Sequence, residues 1–186
     1  MKGSNELMKH NNSVELQLIL HCAPVLKGIK AANTLTLFRS DLEKVKHIIK
    51  NTEICMCILY ENSEKAVVLF YRKDRMQVVM NQVVCCSYLL QLGYRPLDLE
   101  QCFYRLSEKM YHYHKSGRVF PHELGVFLEY PLYDIEEFMK QGGKNFKICG
   151  YWKVYHKEED AKNIFLQYDA AREELLTDYQ RTGKIV

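Results

Sequence analysis

Ile54-Cys55-Met56-Cys57-Ile58-Leu59-Tyr60 and Ala66-Val67-Val68-Leu69-Phe70-Tyr71 are two short apolar runs around the polar cluster Glu61-Asn62-Ser63-Glu64-Lys65. Short runs rich in β-branched and aromatic residues, separated by turn-forming residues, specify a β-hairpin. Both faces of both strands are apolar, so the sheet they build has to be covered on each side, at least in part, rather than left with one wet face.

The covering helices are read outward from that hairpin. Ser13 is placed to cap a helix carrying Val14, Leu16, Leu18, Ile19 and Leu20 up to His21-Cys22-Ala23-Pro24, where the proline ends it, kinks it or opens a new turn. Gly28 follows as a stop. A short helix fits 41–50. Asp74 with Gln77 has the spacing of a capping box opening a helix through Leu90, and Asp98 with Gln101 repeats it for a helix running to Gly117. Pro121 and Pro131 each open a shorter helix, the second stopped by Gly142-Gly143. Residues 146–155 alternate and are expected to form a third strand, with Ile148, Gly150, Trp152 and Val154 on one side and Lys147, Cys149, Tyr151, Lys153 and Tyr155 on the other. A last helix spans about 158–179. The expected fold is α+β, or mixed α/β: a small central sheet of the hairpin and a third strand, with helices on both faces. Residues 1–12 are expected to be disordered and 13–186 to form a single globular domain.

Composition agrees with this. The chain has 186 residues, 47% hydrophobic and 26% charged, which is ordinary for a globular domain. A chain of this length buries roughly 70% of its unfolded surface, so the core needs neither disulfide nor metal. No segment approaches the ~20 apolar residues of a membrane helix, and the first ten residues lack a signal-peptide core, so no membrane association and a cytosolic location are expected. The seven cysteines form no C-x-x-C pair and read as reduced thiols. The net charge of +3 falls short of the basic stripe of a nucleic-acid binder. The short helices around Leu124-Gly125 have the rhythm of a helix-turn-helix, but Glu123, Glu129, Asp134, Glu136 and Glu137 face only Lys140 there, the wrong charge for phosphate. No nucleic acid is expected as a partner.

Three blocks carry the residue types of chemistry: His21-Cys22-Ala23-Pro24, Phe120-Pro121-His122-Glu123-Leu124-Gly125 continuing to Pro131, and Cys149-Gly150-Tyr151-Trp152-Lys153-Val154-Tyr155. In combination and in this order they resemble the bacterial family catalogued as domain of unknown function 3793, over nearly the whole chain. The resemblance implies a cytosolic bacterial protein, common in anaerobes, and carries no mechanism with it. Glu129 stands where that resemblance leads one to expect glycine.

The residues themselves suggest more. His, Cys and Glu are the groups of metal ligation, thiol chemistry and acid–base work. Cys22, His122 and Glu123 are therefore the catalytic candidates, and His21, Cys22 and His122 the ligands if a metal is held. His122 and Glu123 are adjacent on a helix and point about 100° apart, so they cannot both aim squarely at one ion. Cys22 gains nucleophilicity if Pro24 starts a helical turn just beyond it and loses it if the first helix merely ends there. On this reading it alone among the cysteines reacts quickly. Lys153 shares a strand face with Tyr151 and Tyr155 and could meet an anion beside two phenols. His21, Lys153, Tyr151, Tyr155 and Cys149 are thus the ligand-binding candidates.

The expected function is binding of a small ligand, an anion among the choices, or of a cofactor or metal, in a pocket built from all three blocks. A redox or enzymatic step can accompany it, and the cofactor is unknown. His21, Cys22, His122 and Lys153 should then surround one concavity. The alternative is a non-catalytic interaction partner of a cytosolic redox protein, which should instead show a flat apolar patch.

Overall fold

A computed structural model describes residues 13–185; the N-terminal segment 1–12, with its expected disorder, lies outside the described residues. The expected hairpin is present as β2 (Ile54–Glu61) and β3 (Lys65–Arg72). Asn62 makes its turn: its side-chain oxygen accepts from the amides of Glu64 at 2.9 Å and Lys65 at 2.8 Å, the local bonding for which asparagine is favoured in turns. A register shift between Ile58 and Tyr60 puts a bulge in β2.

The third strand of this sheet is β1 (Ala32–Phe38), which pairs antiparallel with β3 from Ala32 opposite Tyr71 to Phe38 opposite Lys65. The strand order is β1-β3-β2. The expectation that 146–155 would be the third strand is corrected. That segment doubles back as β4 (Ile148–Cys149) and β5 (Lys153–Val154), a separate two-stranded hairpin. Its alternation spans the two arms and the turn between them. A side chain on Gly150 at that turn would collide with the ring of Phe165, so the chain can fold back tightly only with glycine there.

Because β3 is central, both its faces are buried. Leu69 and Tyr71 look into one core and Ala66, Val68 and Phe70 into the other, the period of two expected of a strand. The second core is covered by α1 (Val14–Leu26), α2 (Leu42–Ile49, entered through a 3-10 turn at Arg39–Asp41) and α8 (Glu158–Thr182). The first is covered by α3 (Lys73–Asn81), α4 (Val83–Gln91), α5 (Leu99–Ser116), α6 (Leu124–Phe127) and α7 (Leu132–Gln141). The fold is α+β, with helices on both faces of the sheet. Among the described residues no helix is long and apolar enough to cross a membrane.

Two helices differ from expectation. α1 is capped by Ser13, whose hydroxyl accepts from the Leu16 amide at 3.2 Å, but it runs through Pro24. The carbonyl that Pro24 cannot serve belongs to Leu20, 41% exposed, so water can take that bond. Cys22 therefore sits inside a helix and not ahead of one. The expected helix from Asp74 to Leu90 is two helices, parted where Gln82 adopts extended dihedrals (φ −62°, ψ 125°). Asp74 does not cap it; Arg72 holds the N-cap position without a side-chain capping bond. The second box is half realised: Asp98 accepts from the Gln101 amide at 3.0 Å, while Gln101 turns to the Arg95 amide at 3.1 Å instead.

Candidate functional site

A cavity of about 440 Å³ lies between the α6–α7 region and the β4–β5 hairpin, a size typical of small-molecule sites. Its buried walls are Leu124, Gly125, Leu128 and Ile135, with Trp152. Gly125 is needed where α6 meets α7: a Cβ there would approach Ile135 Cδ1 to 2.8 Å. The more accessible end carries Phe120, His122, Phe138, Cys149 and Lys153. The sheet contributes Thr34.

The hairpin is fixed to α7 by one carboxylate. Asp134, 2% exposed, accepts from Trp152 Nε1 at 2.8 Å, the Tyr155 amide at 2.8 Å and the His156 amide at 3.1 Å. A buried anion is tolerated where such donors surround it. Trp152 in turn stacks on Tyr130 (centroids 5.4 Å apart, 30° between planes) and meets Phe165 edge-on at 4.6 Å. Aromatic packing of this kind holds the wall in one orientation.

Cys149 and Lys153 are directly opposite one another in the hairpin, so thiol and ammonium share its cavity face. Lys153 Nζ donates to the Gly143 carbonyl at 2.8 Å and lies 4.9 Å from the Phe146 ring centroid and 5.6 Å from that of Phe138. No carboxylate pairs with it among the described residues. The neighbours of this lysine are phenyl rings and not the two phenols expected. Tyr155 is buried outside the cavity. Tyr151 does line it, but its hydroxyl donates to Asp169 at 2.9 Å and accepts from Arg172 at 3.3 Å. Burial, reinforced by that bond to Asp169, pushes the Tyr151 phenol up to about 12. The His122 ring sits between Phe120 and Phe138, 5.4 Å from each.

His122 and Glu123 lie in the turn ahead of α6 and not on the helix expected to open at Pro121, and Glu123 faces away from the cavity. It is buried, accepts from Tyr94 OH at 3.0 Å and is paired with Lys109. That ties α5 to the segment ahead of α6 and leaves Glu123 outside the cavity.

The first block does not reach the cavity, which corrects the three-block pocket. His21 is exposed and contributes its backbone carbonyl to the Asn33 side chain. Cys22 is wholly buried in the core beneath α1, and burial pushes its thiol up to about 12 against the pull of nearby Lys30. Few thiolates exist there at neutral pH, so the expected fast-reacting nucleophile is not at Cys22. His21, Cys22 and His122 are not gathered into a metal site; among the described residues no group of three or more His, Cys, Asp or Glu could hold a metal.

Beside Cys22 lies a cluster that the sequence reading missed. Lys30, 1% exposed, donates to Asn33 Oδ1 at 3.1 Å and lies 5.0 and 5.5 Å from the ring centroids of Tyr130 and Tyr168. Burial lowers its ammonium to about 8, opposed by the nearby Cys22 and Glu129. Glu129 accepts from the Ala31 amide at 2.7 Å and from Arg75 at 3.4 Å. It has φ +60°, a left-handed conformation that glycine adopts freely. The signal was the non-glycine residue at that turn; nothing in the pattern marked Lys30 or Asp134.

The model of a family described as "Protein of unknown function (DUF3793)" matches residues 18–186. No curated protein and no solved structure matches the chain.

Proposed function

For a chain that belongs to the DUF3793 family, we propose that the cavity between α6–α7 and the β4–β5 hairpin binds a small ligand with an apolar body and an acidic group. The observation that carries this reading is the presence of Lys153 and His122 at the accessible end of a mainly apolar, aromatic cavity of about 440 Å³, whose other charged residue, Asp134, is taken up by three N–H donors. Apolar walls with a few convergent polar groups are the usual form of a small-molecule site. Lys153 supplies a permanent charge with donors to spare, and His122 a donor or acceptor. Cys149 lies close enough to the same space for a thiol-dependent step to accompany binding. The cytoplasm of a bacterium is the setting proposed with it, where all seven cysteines stay as thiols.

The test is native mass spectrometry of protein purified without oxygen. A small organic mass should be retained, released on denaturation, and lost from Lys153→Met, a variant that keeps an unbranched side chain of similar length without the charge. A retained metal alone, or an organic mass retained undiminished by Lys153→Met, would defeat the reading. The rival reading, a non-catalytic partner of a cytosolic redox protein, draws on exposed Val78, Val83 and Val84 of α3 and α4. It predicts retention of a protein subunit in place of a small mass.

A further inference from the structure

We infer that the ligand of this cavity is an aromatic monocarboxylic acid, an inference that rests on reading the cavity as a small-molecule site. The body is specified by the walls. Phe120, Tyr130, Phe138, Tyr151 and Trp152 bring five rings to one space from three stretches of chain, and ring–ring contacts favour a flat aromatic body over an aliphatic one of equal area. The His122 ring, held by Phe120 and Phe138, adds a sixth planar surface whose orientation packing has already set.

The head group follows from charge. The permanent charges in the lining are Lys153 and Asp134. Asp134 is committed to three N–H donors, so it is no receptor for a cationic ligand, although aromatic walls alone would suit one. Lys153 is the reverse case. An ammonium has three donors, one is used on Gly143, and no acidic side chain among the described residues neutralises it. A carboxylate supplies the missing countercharge and accepts the remaining donors. A phosphate monoester would add a second negative charge to a lining that already holds the Asp134 anion, in surroundings where unpaired charge is expensive. One negative charge is what the cavity accommodates.

Titration calorimetry with 1-naphthoate, 1-naphthol, 1-naphthyl phosphate, (1-naphthylmethyl)trimethylammonium and acetate tests each element separately. Naphthoate should bind at least about tenfold tighter than naphthol, the effect of one charged hydrogen bond. Lys153→Met should remove about that factor for naphthoate and leave naphthol within about twofold. A merely structural lysine would weaken both alike. Naphthoate should also slow alkylation of Cys149, which lines the cavity, and not of Cys86 on α4. Naphthol binding as well as naphthoate overturns the acid; a tighter phosphate overturns the single charge; a tighter trimethylammonium reverses the sign. Acetate binding as tightly as naphthoate overturns the aromatic body. In each of these cases the cavity stands as a ligand site provided Cys149 is protected. Binding without protection of Cys149, or no binding by any of the five, overturns the cavity reading and the ligand class together.

Discussion

Lys30 is a cation in the core whose ammonium donates to Asn33 and has two tyrosine rings for company. Below about pH 8 it is protonated in folded and unfolded chains alike, and the penalty of burying the charge is fully present. Between about 8 and its ordinary 10.5 only the unfolded chain holds the proton, so this residue's contribution to stability rises with pH across that window. Cys22 acts oppositely, because its unfolded thiol ionises from about 9 while the folded one stays neutral to about 12. The difference between wild type and Lys30→Met isolates the lysine. Its substitution should raise stability at pH 7, and the advantage should shrink by about 3 kcal/mol by pH 10.5. Urea unfolding at both pH values decides; a difference independent of pH would mean that the ammonium is not desolvated. Among the thiols, exposed Cys149 and half-buried Cys86 should be alkylated first and enclosed Cys22 last. Mass mapping that finds Cys22 early would contradict its place inside α1.

At the scale of elements, the turn between α6 and α7 depends on an acidic residue in a conformation suited to glycine. Glu129 keeps φ +60° because its carboxylate accepts from the amide of buried Ala31, just ahead of β1, and from Arg75 of α3. Glu129→Ala loses those bonds and retains the backbone strain, whereas Glu129→Gly loses the bonds and relieves it. The alanine variant should be less stable than wild type by about 1–3 kcal/mol and less stable than the glycine variant by about 1 kcal/mol. Equal stabilities in chemical denaturation would show that the left-handed turn stores no strain. Asp134 plays a comparable joining role between α7 and the small hairpin. Asp134 was not legible, because an acid in a first helical turn is ordinary and its partners lie about twenty residues downstream. Glu129 showed only as a non-glycine residue at its turn, with nothing to point to Ala31 or Arg75.

For the molecule as a whole, what could be read from sequence was whatever announced itself locally. The β2–β3 hairpin was legible because its runs are apolar on both faces and Asn62 sits where the turn needs it. β1 was not: Ala32-Asn33-Thr34-Leu35-Thr36-Leu37-Phe38 has the alternation of an edge strand, but its polar residues resemble a linker until β3 is there to pair with. Residues 146–155 misled for the opposite reason, since their alternation continues through a turn. Of the three chemical blocks, the second and third do meet, while the first lies on α1, which packs on the other face of the sheet. The two cores share β3, so they should not unfold separately. Leu69→Ala, on one face, and Val68→Ala, on the other, should each destabilise the chain, by about 2–4 kcal/mol for the leucine. Each should preserve a single transition. Two transitions by circular dichroism and hydrogen exchange would mean that the sheet does not couple its faces.

Trp152 is the chain's one tryptophan, and it forms part of the cavity wall. All indole emission therefore originates beside the proposed ligand, stacked on Tyr130 and hydrogen-bonded to Asp134. The protein carries its own optical reporter, undiluted by any second fluorophore of the kind. A compound entering the cavity should alter the intensity or wavelength of that emission, while one binding elsewhere should leave it unchanged. A library of candidate acids can thus be screened in free solution, with neither label nor immobilisation, and the natural ligand sought by the light of the wall it touches.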